Sequence, residues 1–291
     1  LIGQPQQTGM RESKYFLTWS GRIFEKICTR FLGGVTCICD TEEEEEEEEE
    51  VDGKKNDKKQ YIFAYHPHAL YPLGLVFYHK MTEFKKHFRS IRPIPLVASV
   101  IFRLPILGQL ACRAGVREVT GSVFRKALAD RGAVTLVPGG QAELCVAPRA
   151  HSEKNPEIVL NTRHKGFIKI ALQTGSYLVP VFCFGEIYQL KNGLCFPRLQ
   201  NWTYKQFGFP IPFLPVGRFG IPFPLNSKQS GHPFTFVVGS PMKVAHVQGR
   251  PVTQEEIDQT HARYFARVEK LFHKYKAQCG YQNKKFVLED K

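Results

Sequence analysis

Two histidines flank a proline at His66-Pro67-His68, directly after the apolar run Tyr61-Ile62-Phe63-Ala64-Tyr65. Imidazole takes and returns a proton near neutral pH, so the pair suits general-base chemistry. It equally suits a metal site or a plain strand end. Pro67 fixes its own φ and moves His66 out of helical backbone, which sets both rings on extended, stiff chain. Two other stretches carry polar groups after apolar runs: Val137-Pro138-Gly139-Gly140-Gln141-Ala142-Glu143 and Phe184-Gly185-Glu186. If the three meet, a histidine, a carboxylate and exposed main-chain N–H groups share one cleft. That is the layout for base-assisted acyl transfer. Each part also has a plainer reading: a tight strand-to-helix turn at Gly139-Gly140, and a solvated carboxylate.

The elements that must position these groups alternate along the chain. Strand text covers 61–65 and helical text follows to about 88. Pro95 to Ser99 reads as strand, Ser122 to Asp130 as helix, and Ala133 to Val137 as strand. Lys165 to Gln173 reads as a helix that Gly175 stops. Tyr177 to Phe184 and Phe234 to Val238 read as strands. Thr253 and Glu256 form a capping box for a last helix closed by Gly280. This alternation predicts an α/β domain with a mixed, largely parallel sheet flanked by helices, in which ligands bind at the carboxyl ends of strands. Ahead of it, Lys14 to Phe31 reads as an amphipathic helix. Phe16, Trp19, Ile23, Phe24, Ile27 and Phe31 lie on one face, with Arg22, Lys26 and Arg30 along its flank. That pattern fits a membrane-interface helix and also an ordinary packed helix. The organisation expected is an N-terminal segment 1–39, an acidic then Lys-rich linker 40–60, and a domain 61–291.

Composition narrows the function classes. The 291 residues are 43% hydrophobic and 23% charged, enough for a sizeable core. The formal charge is +13 despite nine consecutive glutamates, Glu42 to Glu50, so the rest of the chain is strongly basic and calls for an anionic partner. The cations are scattered, and no zinc-finger, RNP or basic-region pattern occurs, which sets nucleic acid aside. Eight cysteines stand singly apart from Cys37-x-Cys39. They form neither a disulfide ladder nor a structural zinc site. No third ligand stands at metal-site spacing from His66 and His68, so no metal is expected. The motifs G-x-S-x-G, G-x-G-x-x-G, G-x-x-x-x-G-K-[ST] and H-E-x-x-H are absent. No apolar run reaches the length of a spanning helix, and no signal peptide pattern opens the chain.

From Tyr61 onward the chain resembles the type-2 diacylglycerol acyltransferase family, which includes monoacylglycerol and wax-alcohol acyltransferases. The resemblance is carried by an ordered set of motifs: Tyr61 to His68; Phe102-Arg103-Leu104-Pro105-Ile106-Leu107; Pro138-Gly139-Gly140-Gln141-Ala142-Glu143; Arg163-His164-Lys165-Gly166-Phe167; Leu178-Val179-Pro180-Val181; and Phe184-Gly185-Glu186. Ala69 stands where the family has glycine, and the acidic insertion before Tyr61 departs from the family pattern.

The resemblance implies a single acyltransferase domain with membrane-interface elements. It implies transfer of a fatty acyl group from acyl-CoA to a glycerolipid hydroxyl, diacylglycerol first, with monoacylglycerol or a wax alcohol as alternative acceptors. A non-catalytic lipid-binding protein is the rival from another class. Acyl-CoA is a co-substrate, and no cofactor is implied. His68 is the expected base and His66 the support of its loop. Glu143 is expected to orient the imidazole or stabilise the imidazolium, and N–H groups near Gly139 and Gly140 to polarise the thioester carbonyl. Arg163 and Lys165 are candidates for the CoA phosphates, with solvated cations at a helix start as the plainer alternative. The Phe/Pro-rich stretch Phe207 to Pro224 is too proline-rich for a helix and fits an acyl tunnel, a membrane interface or a covering loop. The implied location is the cytosolic face of the endoplasmic reticulum membrane, with the lipid droplet as a second site.

Overall fold

A computed structural model of the chain describes residues 3–30, 33–40, 59–72, 74–143, 157–194, 196–207, 210–211, 214–221, 225, 232 and 234–290. The acidic run Glu42–Glu50 lies outside them, as do Phe31 and the side chains of Phe24, Ile27 and Arg30 from the expected amphipathic helix.

Seven strands form the main sheet, in the spatial order β1 (Val35–Cys39), β10 (Phe234–Val238), β7 (Tyr177–Phe184), β2 (Tyr61–His66), β5 (Ala133–Leu136), β3 (Ile94–Val97) and β4 (Arg117–Glu118). From β7 across to β4 every pairing is parallel. β10 runs against β7, and β1 runs parallel to β10. Outside this sheet, β6 (Glu157–Asn161) pairs with β11 (Lys285–Glu289), and β8 (Lys191–Asn192) with β9 (Pro215–Val216).

The central strand β2 shows why the sheet is covered on both faces. Successive side chains alternate across a strand. Ile62 and Ala64 enter a core shared with the helices Gly121–Arg131, Gly166–Thr174 and Gln254–Tyr275. Phe63 and Tyr65 enter a second core with Tyr78, Phe84 and Phe236. His66, the last residue of β2, falls on the first face, where its ring meets Tyr264 and Phe265 of the helix Gln254–Tyr275.

Several expected elements are present at their expected places. β7 and β10 have the bounds read from the sequence. Gly175, at φ 64°, stops the helix Gly166–Thr174, and its N–H donates to the Ala171 carbonyl. The capping box forms: the Glu256 N–H donates to Thr253 Oγ1, and the Thr253 N–H donates to the Glu256 carboxylate at 2.8 Å. That helix ends at Tyr275, ahead of Gly280. The helical text up to about 88 is broken into Gly74–Phe77, a 3₁₀ turn Tyr78–Lys80 and Thr82–His87, because Met81 takes extended backbone between them. Within the Phe/Pro-rich stretch, the described residues hold β9 and a 3₁₀ turn, Arg218–Gly220.

The N-terminal helix spans Lys14–Arg30, with Tyr15, Trp19, Arg22 and Lys26 exposed. The residues before it are tied to the body: the Ser13 N–H donates to the Arg113 carbonyl at 3.0 Å, and Glu12 pairs with Arg131. With β1 in the main sheet, strands come from both sides of the acidic run. Among the described residues, no helix is long and apolar enough to cross a membrane.

Candidate active site

Parallel strands put their carboxyl ends on one edge, so the ends of β2, β5 and β7 bring the three polar stretches to the same side of the sheet. The two histidines there differ in kind. His66 is fully buried. Its Nε2 lies 3.0 Å from Tyr264 Oη, which in turn donates to the Ala64 carbonyl. Burial lowers its pKa to about 3, so its ring is a neutral core group. His68, beyond the cis His66–Pro67 bond, is only partly buried. Burial lowers its pKa to about 4, opposed by a bond to the Ala69 carbonyl.

That bond fixes the tautomer. His68 Nδ1 lies 2.5 Å from the Ala69 carbonyl oxygen. A carbonyl only accepts, so Nδ1 carries the hydrogen and Nε2 carries the lone pair. The main-chain carbonyl thus orients the ring and supports positive charge on it, the task of the carboxylate in a Ser-His-Asp triad.

Glu143 meets the main chain of His68 rather than its ring. One oxygen accepts the His68 N–H at 2.6 Å, and the other accepts the Asn161 N–H at 2.8 Å. Burial pushes this carboxyl up to about 7, against the downward pull of the two N–H bonds. Glu143 therefore ties the loop after β5 to the end of β2 and to the end of β6. Asn161 extends the tie, since its Oδ1 accepts the Arg163 N–H at 3.2 Å.

A second buried carboxylate holds the same loop from its two sides. Glu186 accepts the Tyr65 hydroxyl at 2.5 Å and the Gly74 N–H at 2.7 Å. Gly185 before it donates its N–H to Tyr281 Oη at 2.8 Å. The segment from Tyr65 to Gly74 is thus pinned at both ends by Glu186 and near its middle by Glu143.

The two glycines after β5 have different tasks. The Gly140 N–H closes a turn onto the Val137 carbonyl at 3.2 Å, so it is not free to serve an oxyanion. A Cβ on Gly139 would overlap the Glu143 carboxylate. Gly139→Ala should therefore displace Glu143 and free both N–H groups it accepts, at a cost of about 2–3 kcal/mol. Denaturant melts check this, and adding Gly139→Ala to Glu143→Ala should cost less than its effect alone, because the two act on one contact.

Of the two cations expected to meet phosphates, Arg163 is exposed, while the Lys165 ammonium pairs with Asp258 at 2.7 Å. Tyr264 and Asn161 were not foreseen as site neighbours. Tyr264 reads as one more apolar position on the last helix, and Asn161 ends a strand too short to stand out.

The buried groups also set a pH dependence of stability. His66, His68 and His79 have pKa values lowered to about 3, 4 and 3, chiefly by desolvation. Between pH 6.5 and 4.5 the unfolded chain binds protons at these histidines that the fold refuses, while the fold holds one proton more at Glu143. The balance grows from about one proton at the top of this window to about two near pH 5, so stability falls by about 1 kcal/mol per pH unit at first and by about 2–3 kcal/mol per unit lower down. Thermal melts at pH 7, 6 and 5 should show the midpoint falling with increasing steepness.

A family model described as "Diacylglycerol acyltransferase" matches residues 49–289. Among curated proteins, Diacylglycerol O-acyltransferase 2 of Danio rerio is 34% identical over 234 residues, covering 76% of this chain and 62% of the relative. Diacylglycerol O-acyltransferase 2-like protein 6 of Bos taurus is 32% identical over 244 residues, covering 77% and 68%. The human Diacylglycerol O-acyltransferase 2 is 32% identical over 234 residues, covering 76% and 58%. The match spans about three fifths of the length of these type-2 relatives. No solved structure matches the chain.

Proposed function

Because the chain belongs to the diacylglycerol acyltransferase family, we propose that it transfers a fatty acyl group from acyl-CoA to the free hydroxyl of diacylglycerol. The observation that carries this reading is the ring of His68, partly open at the sheet edge with Nε2 left as the proton acceptor.

In this mechanism Nε2 takes the hydroxyl proton as the oxygen attacks the thioester carbonyl carbon. The oxyanion forms beside the loop after β5, where the Gly139 N–H is the proposed donor. Collapse breaks the C–S bond, and the imidazolium returns its proton to the leaving sulfur. Thiols ionise near pH 8.5, so the leaving group needs no strong acid, whereas an alcohol needs a base. Glu143 acts as a positioning residue through the His68 main chain. Arg163, beside the amino end of the helix Gly166–Thr174, is the proposed contact for the CoA phosphates. Lys165 would join it only on leaving Asp258. Acyl-CoA is consumed as a co-substrate, and no bound cofactor is invoked. The proposed setting is the cytosolic face of the endoplasmic reticulum membrane or a lipid droplet, where diacylglycerol is dissolved.

Purified protein given labelled acyl-CoA and a panel of diacylglycerol, monoacylglycerol and a long-chain alcohol tests the proposal. Label should appear in triacylglycerol above the other esters. Label in another ester would reassign the acceptor. Bound lipid with no labelled ester would leave a non-catalytic lipid-binding protein.

A further inference from the structure

The 3₁₀ turn Tyr78–Lys80 buries positive charge that its neighbours do not balance. Tyr78 anchors the turn in the second core, against Phe63 and Phe84. The two residues after it carry polar atoms inward. Lys80 Nζ and His79 Nδ1 are both buried, and neither has a hydrogen-bond partner among the described residues. Lys80 Nζ lies over the Phe77 ring, 4.8 Å from its centroid. That cation–π contact offsets part of the lost hydration and supplies no counter-charge.

The surroundings are positive as well. From Lys80 to Arg92 the chain carries Lys80, Lys85, Lys86, Arg89 and Arg92 against one acid, Glu83. Glu83 is already engaged, accepting from Lys86 Nζ at 2.9 Å. Burial and then Lys85 lower the Lys80 pKa to about 8, and among the described residues no carboxylate acts against them. The ammonium is therefore still mostly charged at pH 7. Burial, followed by Lys80, Lys85, Arg131 and Arg92, lowers the pKa of His79. Arg131 pairs with Glu12, whereas Lys85 and Arg92 are exposed. Arg92 stands just before β3 and Arg131 just before β5, so this positive field lies toward the edge of the sheet opposite His68. Buried charges in folded proteins are paired, and a buried ammonium beside further cations calls for an anion.

We propose that the turn Tyr78–Lys80 binds a phosphate dianion, free or carried as a monoester, with Lys80 Nζ and His79 Nδ1 as inner donors and Lys85 and Arg92 at the rim. The ligand chemistry matches the donors. A phosphate presents several acceptor oxygens, so an ammonium and a neutral imidazole with its hydrogen on Nδ1 can donate to it together. Its charge offsets cations that otherwise repel one another, and the exposed Lys85 and Arg92 draw it in. The site is separate from His68 and does not rest on the acyltransferase reading.

Inorganic phosphate titrated into the chain, with ionic strength held constant by sodium chloride, should bind and raise the thermal midpoint. Lys80→Met keeps the length of the side chain and removes its charge. It should weaken phosphate binding by about 10–100-fold, the loss of a charged hydrogen bond. In phosphate-free buffer it should nevertheless melt above the parent, because no unpaired cation is then buried. Lys85→Ala with Arg92→Ala changes exposed positions alone and should weaken binding by about fivefold. Coenzyme A and dephospho-coenzyme A distinguish the sources: a Lys80-dependent preference for the form with the 3′-phosphate assigns the site to that monoester, and equal affinity for the two assigns it to free phosphate. Three results would overturn the proposal: phosphate raising the midpoint no more than chloride, Lys80→Met and the double variant binding phosphate as the parent does, or Lys80→Met melting below the parent with and without phosphate. The last would make Lys80 a packing residue.

Discussion

Replacing His68 with alanine should lower kcat for the proposed acyl transfer to diacylglycerol by about 10²–10⁴-fold, the range of a lost general base. The fold should survive, since the ring is partly exposed and its only described ring bond is to the neighbouring Ala69 carbonyl. His66→Ala should do the reverse. It removes a buried ring packed on Tyr264 and Phe265 and should cost about 2–4 kcal/mol of stability, with turnover per folded molecule within about tenfold of the parent. Circular dichroism melts and single-turnover assays on the folded fraction separate the two. Normal turnover in His68→Ala with none in His66→Ala would exchange their roles; turnover in both would remove the mechanism.

Glu143→Ala should lose both stability and rate. It leaves the main-chain N–H groups of His68 and Asn161 without their acceptor, at about 1–3 kcal/mol each. It also releases the tether that sets the His68 backbone, for which a loss of about 100-fold in kcat is expected with little change in KM for acyl-CoA. Glu143→Gln keeps one carbonyl acceptor but turns an amide donor toward the other N–H, so it should recover part of each loss. A KM that rises with kcat unchanged would place Glu143 in substrate binding instead.

Much of this arrangement is legible in the sequence. The apolar runs at Tyr61, Ala133 and Tyr177 marked parallel strands, and parallel strands must deliver His66-Pro67-His68, Glu143 and Glu186 to one edge. What could not be read was the partner of each polar atom. The group that orients the His68 ring is a main-chain carbonyl, which any residue at position 69 supplies, so side-chain types carry no sign of it. For the same reason Ala69 in place of glycine leaves that carbonyl in use. Glu143 takes main-chain donors, and its pairing with Asn161 depends on β6, a five-residue strand whose partner β11 lies at the far end of the chain. Lys165 reads as a free cation until the fold brings Asp258 to it across 93 positions. The helix Pro197–Phe207 buries Gln200 and Thr203 while Trp202 and Phe207 stay exposed, an arrangement that residue types alone do not reveal.

The reversal of direction between β10 and β7 has an architectural outcome. Because β1 follows β10, the chain descends through Cys39 and Asp40 toward the starting ends of β7 and β2, and it re-enters the sheet there at Tyr61. Both anchor points of the glutamate-rich stretch, Asp40 and Tyr61, are thus at the edge of the sheet opposite the one that holds His68. Residues added between Asp40 and Lys59 would therefore enter the chain on the side away from His68, and each doubling of a connection's length costs only about 0.6 kcal/mol in closure entropy.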